Sequence, residues 1–175
     1  MEITGIVCEY NPFHSGHQYQ IEQTRKNGAT HVVCVMSGNF VQRGDCAIMN
    51  KFRRAECAIR NGVDMVVELP VTRVLSSAEG FADGGVALAG ALGCDELWFG
   101  SESNDIDVLR KLIEIQNDKN VKKYMEQELK KGVSTAKALG NSVAFLYGEK
   151  LSNILMSPNN ILGIEYLKAL DRQKS

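Results

Sequence analysis

The sequence predicts an α/β protein: a doubly wound parallel sheet over residues 1–103, followed by a helical segment over residues 104–175. Three observations carry that expectation. Four short apolar runs, rich in β-branched residues, read as strands buried on both faces, as in a parallel sheet. Strand-like and helix-like stretches alternate about every 30 residues, the spacing of right-handed βαβ units. Glycine is plentiful, at 16, while proline is rare, at 3. The glycines cluster after the apolar runs, as they do at strand-to-helix corners.

Taken in order, Ile3–Cys8 is the first strand candidate, and a polar corner follows it. Helical spacing runs from about His17 to Asn27. His31–Met36 is the second strand, ending in Ser37-Gly38. From Lys51 to Asn61, Ala55, Ala58 and Ile59 share one helical face, and Asn61-Gly62 stops the helix. Asp64–Leu69 is a third strand, ended by Pro70. Ser76–Leu92 reads as one helix of small residues that packs closely on a sheet, and Glu96–Phe99 as a fourth strand closing at Gly100. Together these make a Rossmann-like sheet, but no Gly-x-Gly-x-x-Gly follows the first strand, so dinucleotide binding of the usual kind is not expected. Beyond Asn104, helices are expected over Ile106–Ile115, Val121–Lys131, Ser134–Tyr147 and Ile161–Asp171, with Asp105, Asp118 and Ser134 as caps.

Composition excludes several classes. The 175 residues carry 20 basic and 21 acidic side chains, a net charge of -1, which rules out a strongly basic nucleic-acid coat. The spread is uneven, since 12 of the basic residues follow Asn104. Lys119, Lys122, Lys123, Lys130 and Lys131 are either a solvated helix face or a phosphate-contacting surface for RNA. No apolar run approaches the roughly 18 residues that span a bilayer, and the N-terminus does not read as a signal peptide, so no membrane partner is expected. Five cysteines without Cys-x-x-Cys spacing suggest neither a disulfide framework nor a zinc site, and a reduced, cytoplasmic compartment.

The most informative stretch is the corner after the first strand, Glu9-Tyr10-Asn11-Pro12-Phe13-His14-Ser15-Gly16-His17. Two of the three histidines fall there, as His-x-Gly-His. Ligands of open parallel sheets bind at the carboxyl ends of the strands. A helix starting there aims free N–H groups and its positive dipole end into that crevice, which suits a polyphosphate. Gly16 lets backbone come close to a nucleotide. Two imidazoles can donate hydrogen bonds to phosphate oxygens as charge develops at the α-phosphorus.

His-x-Gly-His in this position resembles the signature of the nucleotidyltransferase superfamily. The wider wording is similar to the bacterial tRNA(Met) cytidine acetate ligase family, through Gly5–His17, Val35–Gly44, Asn61–Pro70, Phe99–Glu102 and Pro158–Gly163. The resemblance spans the chain and implies a nucleotidyltransferase-type fold. It also implies the activity: acetate and ATP, with Mg²⁺, give acetyl-adenylate and pyrophosphate, and the acetyl group passes to N4 of the wobble cytidine of elongator tRNA(Met). In that light His14 and His17 would stabilise the α-phosphate. Val7, Cys8, Glu9, Tyr10, Asn11, Pro12, Phe13, His14, Ser15, Gly16, His17, Gln18, Tyr19 and Gln20 would cradle ATP, joined by Gly100 and by Asn159 or Asn160.

Other residues keep two readings. Ser37, Gly38 and Asn39 end the second strand and could face acetate or phosphate. Arg43 and Lys51 either hold an anion or form surface salt bridges. Arg53 and Arg54 could contact tRNA phosphates, and Glu68 is either a loop's structural partner or catalytic. The family's downstream stretch for the β- and γ-phosphates, Thr-x-Lys-Arg-like, has no counterpart here, and its further C-terminal region is expected to be absent. Two other readings therefore stay open: a different adenylyl- or cytidylyltransferase acting on a small phosphorylated substrate, or a nucleotide- or tRNA-binding module without turnover.

Overall fold

The computed structural model describes residues 1–173. Its sheet holds β1 (Ile3–Cys8), β2 (His31–Ser37), β3 (Met65–Leu69) and β4 (Glu96–Leu97), in the order β3-β2-β1-β4. Every pairing is parallel, with Ile6 opposite Cys34 and Cys8 opposite Met36. The chain steps outward from β1 to β3, then crosses back to place β4 on the far side of β1. The direction of winding thus reverses between β1 and β4, the point where open α/β sheets bind ligands.

Helices cover both faces, as doubly wound strands require. On one face α1 (Ser15–Lys26) and α2 (Lys51–Arg60) bury Ile21 and Ala58 with Ile6, Val32, Cys34 and Met36. On the other lies α4 (Ala78–Ala91). It can approach β1 closely because Gly85 has no Cβ, which would fall 2.7 Å from a methyl of Val7. The expected helix over Ser76–Leu92 is α4, capped by Ser77 accepting from the Gly80 N–H, and it is preceded by a further short helix that was not expected, α3 (Val71–Val74), one turn after Pro70. β4 is two residues long rather than four, although the Trp98 N–H still donates to the Gly5 carbonyl at 2.9 Å.

The chain divides into two units. The first comprises Met1–Phe99 with residues 169–173; the second is Gly100–Lys168. In the second, α5 (Ile106–Asn117), α6 (Lys119–Leu129) and α7 (Thr135–Tyr147) begin at the anticipated caps Asp105, Asp118 and Ser134. Between α6 and α7 the buried Glu128 accepts from the Asn141 amide at 2.7 Å and pairs with Lys131. An eighth helix, α8 (Glu149–Met156), was not anticipated; Gly148, at φ +93, separates it from α7. The last helix, α9 (Pro158–Gln173), starts earlier than expected, with proline in its first turn. No helix among the described residues is long and apolar enough to cross a membrane.

Candidate functional site

β1 ends against a sharp turn. Tyr10 takes the left-handed conformation, φ +48, and is buried, followed by a cis Asn11–Pro12 bond. Its ring lies 5.0 Å from Phe13 and 4.7 Å from His17, and Phe13 lies 5.7 Å from His17, so two aromatic rings pack against the second histidine. Tyr10 Oη meets Cys34 Sγ at 3.3 Å. Burial, then the Cys34 thiol, pushes the Cys8 thiol well above its ordinary value, so it stays protonated. Burial likewise raises Tyr10.

The helix starts two residues earlier than its apolar spacing indicates, because the two histidines cap it. The Gly16 N–H donates to His14 Nδ1 at 3.1 Å, and the His14 N–H donates to His17 Nδ1 at 3.3 Å. This is a capping box built from imidazoles in place of the usual hydroxyl and carboxylate. It has a chemical consequence. An imidazole whose Nδ1 accepts a hydrogen bond carries its proton on Nε2, and the network assigns that tautomer to both rings. The rings stack at 3.6 Å, 23° from parallel. The cap therefore leaves each histidine an Nε2–H donor. Burial, helped by His14, lowers the pKa of His17 to about 4, so that ring is neutral at neutral pH. Gly16 has a second role beyond backbone approach. A Cβ there would lie 3.0 Å from His14 Cε1, crowding the ring that caps the helix.

The other corner residues fall into place around this pair. Val7 and Cys8 close β1. Glu9 Oε1 accepts from the Gln42 N–H at 2.6 Å, and Asn11 Oδ1 from the Ile48 N–H at 2.7 Å, which ties the 40–48 loop to the corner. Ser15 is exposed in the first turn of α1, Gln18 bonds Glu22, and Tyr19 is exposed. Gln20 reaches the Trp98 carbonyl at 3.4 Å, beside β4.

One strand away, the end of β2 holds a different arrangement. Arg54 is wholly buried, and its guanidinium donates only to backbone carbonyls: Met49 and Ser37 at 3.1 Å, with Glu9 and Gly38 as further acceptors. It braces β1, β2 and the following loop. The expectation that Arg54 could contact tRNA phosphates is thereby overturned, because burial removes it from any ligand's reach. Arg53 is exposed and pairs with Glu56. The sequence did contain a signal: Arg54 shares the α2 face of Ala58, an arginine on an apolar stripe.

Lys51 Nζ pairs with Glu68 Oε2 at 2.5 Å. Gly38 makes room for that carboxylate, since a Cβ would fall 2.2 Å from Glu68 Oε1. Asn39 Oδ1 accepts from the Lys51 N–H at 3.2 Å. Arg43 lies exposed in a tight turn closed by Phe40 and Cys46. A cavity of about 110 Å³ opens here, with Ser37, Lys51 and Glu68 at its polar side. Sequence reasoning missed its apolar walls, Met36, Phe52, Ala55 and Val66.

Gly100, Asn159 and Asn160 belong to the second unit. Glu102 accepts the N–H groups of Asn159 at 3.0 Å and Asn160 at 2.8 Å, capping α9. The buried Asn160 amide is committed on both sides, accepting from the Ser103 N–H at 3.2 Å and donating to the Ile154 carbonyl at 2.9 Å. The Asn159 side chain is exposed. The five lysines of the α6 region are also exposed, with Lys131 paired to Glu128.

Comparison with known proteins bears on this geometry. The sequence model of the family described as HIGH Nucleotidyl Transferase matches residues 1–175. The chain is 43% identical to a tRNA(Met) cytidine acetate ligase of Acetivibrio thermocellus and 47% identical to one of Caldanaerobacter subterraneus subsp. tengcongensis. All of the chain is covered in both cases, and 44% and 45% of those relatives. It superposes on the crystal structure of Thermotoga maritima TmcAL bound with alpha-thio ATP at a TM-score of 0.90, with 40% identity, covering 100% of this chain and 44% of that one. The chain thus spans a little under half the length of the curated relatives it matches.

Proposed function

We propose, from the premise that the chain belongs to the HIGH nucleotidyltransferase family, that it carries the adenylating centre of a tRNA(Met) cytidine acetate ligase. The observation that carries this reading is the cap that turns His14 and His17 into paired Nε2–H donors at the β1/β4 switch point. The corner fits a polyphosphate: a helix N-terminus, two Nε2–H donors and no acidic residue in the first turn of α1.

In the first step an acetate oxygen attacks the α-phosphorus of ATP. The bond from that phosphorus to the β-bridging oxygen breaks, and pyrophosphate leaves with the electron pair. His14 and His17 hold the non-bridging α-phosphate oxygens as negative charge grows on them. Residues 7–20 supply backbone groups to the nucleotide. No group of three or more His, Cys, Asp or Glu side chains that could hold a metal ion lies among the described residues, so Mg²⁺ would be held by the phosphates and water and would supply neutralisation of their charge. In the second step N4 of the wobble cytidine attacks the acetyl carbon, AMP leaves, and N4 loses a proton. Of the two asparagines we assign Asn159 to the nucleotide, because the Asn160 amide is already committed. The assignment of Gly100 and Asn159 rests on the family resemblance. Elongator tRNA(Met) as acceptor rests on the names of the relatives.

The test is ATP and acetate turnover followed as pyrophosphate release, with and without tRNA(Met). Acetate-dependent release supports the proposal. Release only with a phosphorylated small molecule would assign a different transferase, and ATP binding without release would leave a binding module.

A further inference from the structure

The hairpin of α6 and α7 carries two features that the adenylating centre does not use. The first is a charged row. In a chain of net charge -1, residues 119–131 hold five lysines against two glutamates, a local excess of three. Lys131 pairs with the buried Glu128. That leaves Lys119, Lys122, Lys123 and Lys130 exposed, with Glu126 as the exposed carboxylate among them, and none of the four makes an ion pair among the described residues. Asp118 is turned to the Asn120 N–H at 2.6 Å and to the Tyr147 hydroxyl at 2.9 Å. Lys119, Lys123 and Lys130, spaced by four and seven residues, fall along one side of α6. Like charges at that spacing repel one another, so the row gains from an anionic partner. The second feature is an open aromatic stack. Phe145 of α7 is 68% exposed, and its ring lies 4.5 Å from that of Tyr124, 14° from parallel. Tyr124 directly follows Lys123, so the stack borders the row. The bonds from Asn141 to Glu128 at 2.7 Å and from Tyr147 to Asp118 flank it and fix the two helices in register.

We infer that this side of the α6–α7 hairpin binds the unpaired loop of an RNA, with a base stacked on Phe145 and backbone phosphates on Lys119, Lys123 and Lys130. The inference deepens the reading above, from which it takes the class of partner, by naming where the acceptor RNA is held. Both features are what a single strand demands: every base offers a π-face and every backbone step a negative charge. A duplex offers phosphates but no open base, so the ring would go unused. An anionic membrane needs an apolar helix face to insert, and the apolar side of α6 is turned inward, with Val121 wholly buried. The flanking hydrogen bonds hold the stack before a ligand arrives, so little side-chain freedom is lost on binding. The net charge of the chain is no obstacle. Attraction between exposed charges fades over about 8 Å at physiological salt, so the charge of the contacting face decides, and that face is positive.

The test is binding of the chain to a fluorescent RNA hairpin carrying the anticodon stem and loop of elongator tRNA(Met), and to the same stem as a loopless duplex. Anisotropy is followed over a series of salt concentrations. Phe145→Ala should weaken hairpin binding about tenfold, the scale of one base–aromatic stack, and leave the salt slope unchanged. Phe145→Trp should keep the wild-type affinity. Lys119→Gln and Lys123→Gln should each lower the logarithmic salt slope by about 0.7, one single-strand phosphate apiece. All three positions are exposed, so the variants should melt as the wild type does. Hairpin affinity unchanged in Phe145→Ala and in both lysine variants would overturn the surface. So would equal affinity for hairpin and duplex, or no RNA binding by the wild-type chain. Lysine variants that lose binding to vesicles of anionic phospholipid but not to the hairpin would assign the row to a membrane and overturn it as well. Pyrophosphate release from ATP and acetate without RNA should be equal in all variants. Hairpin binding that responds to the variants, with no such release, would sink the activation reading and leave the surface standing. Acetate-dependent release with hairpin binding indifferent to the variants would do the reverse.

Discussion

The corner after β1 and the end of β2 lie one strand apart at the same edge of the sheet, yet they are held in opposite ways. The corner is built from neighbours. His14 caps Gly16 two residues on, and His17 caps His14 three residues back, so both imidazoles are oriented by their own helix turn. The end of β2 is built from distance. Arg54 reaches Glu9 across 45 residues, and Lys51 reaches Glu68 across 17. A locally closed site keeps its shape as long as its helix starts correctly. A site closed at long range depends on the whole sheet being in register.

The comparison can be broken most directly at Arg54. Replacing it with leucine leaves its carbonyl partners without a donor in the interior, and stability should fall by about 3 kcal/mol or more in urea denaturation. Arg54→Lys should recover little, because a single ammonium cannot serve carbonyls spread around a planar fork. A loss below about 1 kcal/mol would show that the brace is incidental.

At the corner, function and stability should separate instead. His14→Ala removes both the cap and the Nε2–H donor: turnover should fall about 10²-fold and stability by about 1 kcal/mol. His14→Asn keeps a good cap without a donor in the imidazole's place, so it should restore stability while turnover stays low. Equal stability of the two variants would argue against the capping role.

The pH response sharpens the contrast further. His17 titrates near 4 in the fold, below the ordinary value near 6.5. The unfolded chain therefore binds more protons than the folded one between those values. The contribution of this residue is full above about pH 6.5 and is lost as pH falls toward 4. Its slope is at most about 1.4 kcal/mol per pH unit, reduced by the ring's partial exposure. His17→Gln should flatten the stability profile in that window, as measured by denaturation at a series of pH values. An unchanged profile would place the acid sensitivity elsewhere.

The smallest effect is expected at Gly38. A Cβ there displaces the Glu68 carboxylate, a flexible side-chain end that can move away. Gly38→Ala should cost about 1 kcal/mol or less in urea denaturation, because the Lys51–Glu68 pair it disturbs is partly exposed. A melting temperature that drops as far as in Arg54→Leu would mean that Gly38 serves the backbone rather than the ion pair.

Legibility followed the same division. Each strand was visible as an apolar run, and Asp105, Asp118 and Ser134 were readable as caps because a cap acts within three residues. The misses occurred where apolar periodicity carries no information. α3 and α8 are short and set off by Ser77 and Gly148 rather than by periodicity. α1 began early because histidines are not expected caps, although the His-x-Gly-His spacing is the capping-box spacing. Arg54, placed by charge alone, was assigned outward to phosphates, and only its burial corrected that.

By itself the sequence determined a parallel α/β sheet, a helix starting at the carboxyl ends of its strands, and two imidazoles at the mouth of that helix. Each follows from residue type and short spacing, where a few rotatable bonds separate cause from effect. Tertiary structure alone decided which polar groups remain available. It turned Arg54 inward, left the Ser37 hydroxyl buried without a hydrogen-bond partner, and set Lys51 against Glu68. Those outcomes depend on strand order and register, which bring together groups that the chain keeps far apart.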